Sequence, residues 1–255
     1  MKVKVSIPAN AKAVTFGKYI DYQNAVDKIE QVHIITGKSS ESIRLLQSNI
    51  IDEIIMQFEA AIKLGGSDFE RKVRVGAIEL GFIPNLNELT FGEYIDLDSA
   101  CTGIYKDGKI NGTAAHKMMC ILYRPVKAKF GKYYDIEPYN PNAKRKYEDE
   151  VLSLTLDHVL NVLLFFFEFR NRTIQHFPRI FGKGDNGDSE GDDAGTTPDG
   201  LAVYGWFHII ESLAERDITK FDAVTERSAY EVFTHLTYLA DYVYVQKVEM
   251  RKRHH

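Results

Sequence analysis

The fold is decided by a twelve-residue stretch that the chain contains twice, VTFGKYIDYQNA at residues 14–25 and LTFGEYIDLDSA at residues 89–100. Seven of the twelve positions are identical, and the copies lie 75 residues apart. Such a match within one chain indicates an internal duplication, because each copy of a repeat folds as one supersecondary unit. We therefore expect two similar modules in the first part of the chain.

Apolar residues that alternate along the chain predict a strand before each copy. The two runs, residues 3–8 and 78–84, both end in Ile-Pro, and proline ends a strand because it has no N–H for the ladder. Residues 72–75 and 77–83 are typical of a hairpin that turns at Gly76. The sequence therefore predicts a small sheet.

A capped helix is predicted within each copy. Thr15 and Thr90 precede the helical residues, and a threonine at this position accepts a hydrogen bond from a backbone N–H of the first turn. Glu93 completes a capping box in the second copy, whereas Lys18 cannot return the second bond in the first copy. Each module is thus expected to run from a strand through a turn into a capped helix.

Helical periodicity continues beyond both copies. Residues 39–66 form an amphipathic pattern that ends at Gly65-Gly66, and residues 112–123 form a second one that stops before Pro125. The other predicted elements are a strand at residues 133–138 and helices at about residues 146–169 (or as far as 177), 201–214 and 225–248.

The expected architecture is α+β. A duplicated strand–helix–helix module with a small sheet occupies residues 1–138, with repeats at about 1–66 and 72–126. A mainly helical region, residues 139–255, follows the turn-rich residues 139–142. Within it, residues 182–200 contain six acidic residues and one lysine, a composition typical of a flexible, solvated insertion. Calcium binding there is the less favoured alternative, because the spacing does not fit an EF-hand loop.

Composition limits the functional classes. The 32 Lys and Arg residues against 36 Asp and Glu give a net charge of −4, so no overall basic excess indicates nucleic-acid binding. Cys101 and Cys120 are too few for a disulfide scaffold, so we expect free thiols. Residues 159–167 form the most apolar run, about half of the roughly 20 residues that a membrane-spanning helix needs. We therefore expect a protein with no membrane segment.

Motifs for catalysis or cofactors are not evident in the sequence. The eight histidines show no zinc-binding spacing, and no nucleophile elbow or phosphate-binding loop occurs. We therefore expect no enzyme activity, no catalytic residue, no metal site and no cofactor. The rival hypothesis is an enzyme whose polar residues come from different segments, such as His116, Asp96 and Cys101.

Aromatic residues are the more informative candidates. Tyr204, Trp206 and Phe207 lie on one predicted helix and form either an interface with another chain or part of a helical core. At the C-terminus, Arg251, Lys252 and Arg253 are either a solvated helix end or a contact for an acidic partner or DNA.

Two segments carry a family resemblance. Residues 80–97 (LGFIPNLNELTFGEYIDL) and residues 119–126 (MCILYRPV) resemble signatures of small structural and assembly proteins of tailed bacteriophages. The order of the C-terminal segments is similar as well, with a helix around Trp206, then residues 217–224 and a last helix around residues 236–239.

The resemblance implies a non-enzymatic virion protein of the neck, tail or capsid, assembled in the cytoplasm of the bacterial host. Its expected partners are other phage structural proteins and copies of itself. A tail-assembly chaperone, which holds the tape-measure protein and leaves before the particle is complete, is the alternative that the resemblance implies. Direct DNA contact and the role of residues 182–200 are left open by the sequence.

Overall fold

A computed structural model describes residues 5–63, 69–106, 108–141, 147–182 and 204–253. It confirms the α+β class, with a four-stranded antiparallel sheet and a mainly helical C-terminal region. The helices are α1 (Phe16–Asn24), α2 (Lys28–Thr36), α3 (Ser40–Arg44), α4 (Ser48–Ala61), α5 (Phe91–Thr102), α6 (Gly112–Leu122), α7 (Glu148–Leu152), α8 (Leu156–His176), α9 (Pro178–Phe181), α10 (Trp206–Leu213), α11 (Phe221–Thr225) and α12 (Ala229–Arg253). The strands are β1 (Lys72–Val75), β2 (Ile78–Phe82), β3 (Tyr105–Lys106), β4 (Lys109–Ile110), β5 (Tyr123–Phe130) and β6 (Tyr133–Ile136).

The chain forms two compact units. The first unit comprises Met1–Pro84 and Ser99–Phe166, and the second comprises Asn85–Asp98 and Phe167–His255. This division differs from the expected boundary near residue 138, because α7 and the first part of α8 belong with the N-terminal helices. Whether residues 1–138 fold as a separate domain stays a prediction.

The sheet lies in the first unit, with strand order β1-β2-β5-β6 and every neighbouring pair antiparallel. The hairpin at Gly76 (φ 57°) and the strand predicted from residue 133 are confirmed. Strand β5 was not predicted, because Pro125 was expected only to stop the preceding helix. In the structure Pro125 lies opposite Leu80, and its carbonyl accepts a hydrogen bond from the Glu137 N–H at 2.9 Å.

A close approach across the sheet requires glycine at position 81. A Cβ at Gly81 would lie 2.6 Å from the ring of Tyr134 and 2.9 Å from the side chain of Ile136. The Tyr134 hydroxyl donates its one hydrogen to the backbone oxygen of Phe82 at 2.6 Å, and the backbone oxygen of Arg71 lies 3.2 Å from the same hydroxyl. The hydroxyl end of the Tyr134 ring is thus held, which limits how far the ring can move away from a larger residue at position 81.

The duplicated sequence makes the same backbone contact in both units, which we call the repeat junction. In the first unit Phe16 N–H donates to the Leu154 oxygen at 2.7 Å, and Leu156 N–H donates to the Val14 oxygen at 2.8 Å. In the second unit the equivalent donors are Phe91, bound to the Arg227 oxygen at 2.7 Å, and Ala229, bound to the Leu89 oxygen at 2.8 Å. Each junction ties one copy of the repeat to the start of a long helix, α8 or α12.

The shared glycine of the repeat is explained by this junction. A Cβ at Gly17 would lie 3.3 Å from the backbone oxygen of Leu152, and one at Gly92 would lie 3.4 Å from that of Thr225. A side chain at either position would require the neighbouring backbone to shift by a few tenths of an ångström, so glycine favours this close approach. The duplication seen in the sequence is therefore also present in the structure, as the same junction formed twice.

The predicted caps are confirmed. Thr15 accepts a hydrogen bond from Lys18 N–H at 3.3 Å, and Lys18 extends its ammonium to the Ile35 oxygen. The capping box of the second copy is complete, since Glu93 N–H donates to the Thr90 hydroxyl and Thr90 N–H donates to the Glu93 carboxylate at 2.8 Å.

The strand expected before the first copy is not seen in residues 5–8, and residues 3 and 4 lie outside the described residues. The two copies differ in the strands that neighbour them. Strand β2 pairs with β1 and β5, whereas residues 5–8 have no neighbouring strand in the sheet as described. The acidic residues 183–200, with the calcium alternative, also lie outside the described residues.

Three predicted helices begin or break at different places. The helix expected from residue 39 is divided into α3 and α4, because Gln47 has an extended backbone (φ −68°, ψ 148°). The helix expected from about residue 146 is interrupted, giving α7 then α8, and the helix expected from about residue 225 begins later, as α12 at Ala229. The repeat junction causes both differences, since Thr155 and Ser228 are not helical and pair with the repeat.

We predict that Gly81→Ala lowers the free energy of unfolding by about 1–3 kcal/mol, because the added methyl group overlaps the held Tyr134 ring. Gly103→Ala is the matched control, since its Cβ would meet only the Ala100 oxygen at 3.9 Å. Urea denaturation of both variants measures the difference. Equal midpoints for the two variants would contradict the proposed role of Gly81.

Candidate functional site

Trp206 is half-buried and packs against the core of the second unit. Its ring packs edge-on against Phe91 and Tyr94, with centroid distances of 5.6 and 5.9 Å, and also contacts Phe181 and Phe233. Trp206 therefore helps to hold the second unit together, and a substitution there does not isolate a docking contribution. Its role as an interface residue stays a prediction.

A carboxylate fixes the orientation of the Trp206 ring. The indole Nε1–H donates to Asp98 Oδ2 at 2.9 Å, and Arg170 Nε donates to Asp98 Oδ1 at 2.7 Å. The Asp98 side chain is 16% exposed and that of Arg170 is 30% exposed. One side chain thus links α5, α8 and α10 within the second unit, and a charge-assisted hydrogen bond in such a place contributes more than an exposed one.

The two other aromatic candidates are exposed. Tyr204 and Phe207 are 57% and 52% exposed, and their rings lie 6.5 Å apart. Phe207 also contacts Phe221 of α11 at 5.7 Å. Both residues remain candidates for an interface with another protein.

A larger exposed apolar surface lies on the C-terminal half of α12. The N-terminal part of this helix is in the core of the second unit, where Val232 and Phe233 are buried. From residue 238 onward the helix is mostly exposed, including its large apolar side chains. We call these residues the distal α12 surface: Tyr238, Leu239, Tyr242, Val243, Val245 and Met250.

The distal α12 surface is continuous. At 3.6 residues per turn, its six side chains lie within an arc of about 160° around the helix axis. Tyr244 points away from this arc, toward Arg179 of α9, whose guanidinium carbon lies 5.7 Å from the Tyr244 ring centroid. Arg179 also forms an ion pair with Asp241 at 3.1 Å. Contacts with α9 therefore cover another side of the helix and leave the apolar arc exposed.

The basic candidates Arg251, Lys252 and Arg253 form the last turn of α12, and all three are exposed. Cations at a helix C-terminus favourably oppose the helix dipole. Their contact with DNA or an acidic partner stays a prediction.

The first unit contains a pocket of about 320 Å³. Its walls are formed by residues of α1, α4, β3, β4 and α8 and of the adjoining turns: Tyr19, Tyr22, Glu59, Ile62, Lys63, Tyr105, Gly108, Lys109, Ile110, Leu156 and Leu160. Glu59 Oε1 accepts hydrogen bonds from the Tyr22 hydroxyl at 2.8 Å and from Lys109 Nζ at 2.5 Å. The sequence did not predict this pocket, because its residues come from five separate elements.

Three ionisable groups of the pocket, Tyr19, Tyr22 and Glu59, have pKa values that are shifted away from the neutral range. Burial, together with the Glu59 charge, raises the pKa of Tyr19 to about 12, and burial and the bond to Glu59 raise the pKa of Tyr22. Desolvation raises the pKa of Glu59, but the hydrogen bonds from Lys109 and Tyr22 outweigh it and lower the pKa overall. Efficient acid–base catalysis needs a pKa near the working pH, so these groups are suited to binding rather than to proton transfer.

The residues of the rival enzyme hypothesis have contacts of other kinds. His116 shares a hydrogen bond with the backbone oxygen of Glu148 at 2.9 Å, and Cys101 lies 3.9 Å from the sulfur of Met118. Both belong to the first unit, whereas Asp96 belongs to the second. Neither His116 nor Cys101 lines the pocket, and the described residues include no group of three metal-ligating side chains. The enzyme hypothesis stays a prediction.

The partial burial of His158 makes the stability of the folded protein depend on pH. It lies among aromatic rings of the first unit, 5.4 Å from Tyr123 and 6.2 Å from Phe69. Desolvation lowers its pKa against the smaller opposing effects of Glu70 and Asp157. The folded protein therefore favours neutral His158.

Comparison of the chain with protein families, curated proteins and solved structures gives no match. Within the described ranges, no helix has the length and apolar character needed to cross a membrane.

We predict that Asp98→Ala lowers the free energy of unfolding by about 1–3 kcal/mol, because it removes two hydrogen bonds to a carboxylate. Trp206 is the one tryptophan of the chain, so its fluorescence should also shift to longer wavelength as the ring loosens. Asp52→Ala is the control, since Asp52 pairs with Lys28 at the surface and such pairs contribute about 0–1 kcal/mol. Equal losses in the two variants would exclude the special role of Asp98.

We predict that stability falls more steeply with acid in the wild type than in His158→Leu. The pKa of His158 is lowered on folding, so the unfolded chain takes up a proton first as the pH falls through its ordinary value of 6.5. The stabilisation by neutral His158 is thus present above this pH and is lost below it. Urea midpoints at pH 7.5 and 5.5 test this, with His33→Leu, at an exposed histidine of the first unit, as the control. A pH response that is unchanged in His158→Leu would contradict the assignment.

Proposed function

We propose that the chain is a non-enzymatic structural protein of tailed bacteriophages, a component of the neck, tail or capsid. It acts by offering binding surfaces to other phage proteins or to copies of itself, with no cofactor. Its proposed location is the assembled virion, after folding in the bacterial cytoplasm.

The distal α12 surface carries the docking role. Single exposed apolar residues are common on protein surfaces, whereas a contiguous apolar patch marks a site of association. Tyrosines make up part of this patch, and tyrosine is enriched at interfaces because it combines a large apolar ring with a hydrogen-bonding group. Tyr204 and Phe207 are a second, smaller patch of the same kind.

The bacteriophage setting is supported by the resemblance of residues 80–97 and 119–126 to phage structural proteins. The structure gives several of these residues a structural explanation, since Gly81 and Gly92 allow close approaches and Thr90 and Glu93 cap a helix. These residues shape the fold and have no evident part in a reaction, which supports a role in assembly over a role in catalysis.

A tail-assembly chaperone is the alternative within the same proposal. It would use the same exposed helix to hold the tape-measure protein and would then leave. The two versions differ in whether the protein remains in the finished particle.

We predict that mass spectrometry of purified particles detects the protein in many copies. Its absence, together with binding to the tape-measure protein, would select the chaperone, and absence of both would contradict the proposal. Val243→Asp should reduce incorporation several-fold, because it places a charge in the distal α12 surface. Val26→Asp, at a valine that is 93% exposed in the first unit, should not.

A further inference from the structure

We propose that the exposed face of α12 binds the α12 of a second copy of this chain, with the two helices antiparallel and Tyr242 at the two-fold axis. The inference rests on the proposed docking role and names the partner. It follows from the order of side chains along one face of the helix.

The face extends beyond the apolar patch in both directions. Glu231 and His235 lie on it toward the N-terminus, and Glu249 and Arg253 lie on it toward the C-terminus; all four are exposed. Between them are Tyr238, Leu239, Tyr242, Val245 and Gln246, also exposed. The spacing of three and four residues keeps the whole series on one side of the helix.

The series is complementary to itself when it is reversed. An antiparallel pair centred on Tyr242 places Arg253 opposite Glu231 and Glu249 opposite His235. In the middle, Leu239 meets Val245, Tyr238 meets Gln246, and the two Tyr242 rings meet each other. Charged groups thus flank an apolar centre, with each acidic group facing a group that can donate a hydrogen bond.

A parallel pair has the opposite electrostatics. Glu231, Glu249 and Arg253 would each face their own copies, and like charges in contact are unfavourable. The two helix dipoles would also be aligned side by side, whereas antiparallel helices place opposite ends together. The charge pattern therefore specifies the orientation, and a C₂ pair of this kind is closed.

The area of the face predicts a weak dimer. Its side chains would bury roughly 600 Å² per chain, somewhat less than the approximately 800 Å² per partner of a standard stable interface. Association at about micromolar concentration is therefore expected, with a strong dependence on the central residues.

Sedimentation equilibrium of the full chain tests the pair. Wild type should dimerise reversibly between about 1 and 200 µM, and Tyr242→Glu should weaken this at least about 10-fold because two carboxylates would meet at the axis. Tyr133→Glu is the matched control, at a tyrosine of the first unit that is 68% exposed, and should dimerise as wild type does. Wild type that stays monomeric, or Tyr242→Glu that dimerises normally, would overturn the pair.

Charge exchange tests the orientation. Arg253→Glu alone and Glu231→Arg alone should each weaken dimerisation by about 5-fold, and the double variant should restore it, because the exchanged charges still face each other. In a parallel pair each substituted residue would still face its own copy, so like charges would meet in every variant. Neither weakening nor rescue of dimerisation would then be observed. That result would overturn the antiparallel arrangement.

The particle experiment separates this inference from the proposed function. A monomeric chain that is still incorporated into particles, and whose incorporation is reduced by Val243→Asp, would retain the docking role with a different protein as the partner. Self-association through α12 would then be excluded.

Discussion

The structure depends on one backbone interaction, the repeat junction. At each junction two N–H groups donate hydrogen bonds to two carbonyl oxygens. These bonds join a copy of the repeat to a three-residue segment, 154–156 or 227–229, whose last residue is the first of a long helix. Backbone groups withdrawn from water must find partners, and a glycine in each copy lets the chains approach closely enough for this. The junction interrupts the helical chain at Thr155 and Ser228, so it determines where α8 and α12 begin.

The two copies of the repeat differ in the side-chain hydrogen bonds made from one equivalent position. Gln23 and Asp98 occupy the same position of the repeat. Gln23 Oε1 accepts a hydrogen bond from Gly112 N–H, and its Nε2 donates to the Ile110 oxygen, both within the first unit. Asp98 binds Arg170 and Trp206 within the second. The same backbone arrangement therefore supports a neutral network in one unit and a charged one in the other, as is expected when only the junction itself is constrained by geometry.

Local signals predicted the local structure well. The caps at Thr15 and Thr90, the hairpin at Gly76 and the α+β class follow from short-range patterns, and the structure confirms them. The junction was not predictable, because its two halves are more than 130 residues apart and the second half is too diverged to show the duplication. Strand β5 was missed because Pro125 was interpreted by its local preference alone, without the pairing of its carbonyl.

The candidate surface was partly accessible from the sequence. The aromatic residues predicted either an interface or a helical core. Sequence alone could not separate Trp206, which packs against the core of the second unit, from the exposed Tyr204 and Phe207. The sequence does not distinguish the distal α12 surface from the core-facing side of the same helix, because Leu239 and Val243 continue the helical spacing of Val232 and Leu236. Only the structure shows that the core ends before residue 238 while the helix continues.

The N-terminal half of α12 is supported by the core of the second unit, and we propose that another helix covers its exposed half. Hydrogen–deuterium exchange of α12 as a function of protein concentration measures this most directly. We expect protection from exchange that does not depend on protein concentration for residues 229–237, and protection that rises with protein concentration for residues 238–250. Equal protection of both halves in dilute solution, or exchange of residues 238–250 that does not change with concentration, would contradict it.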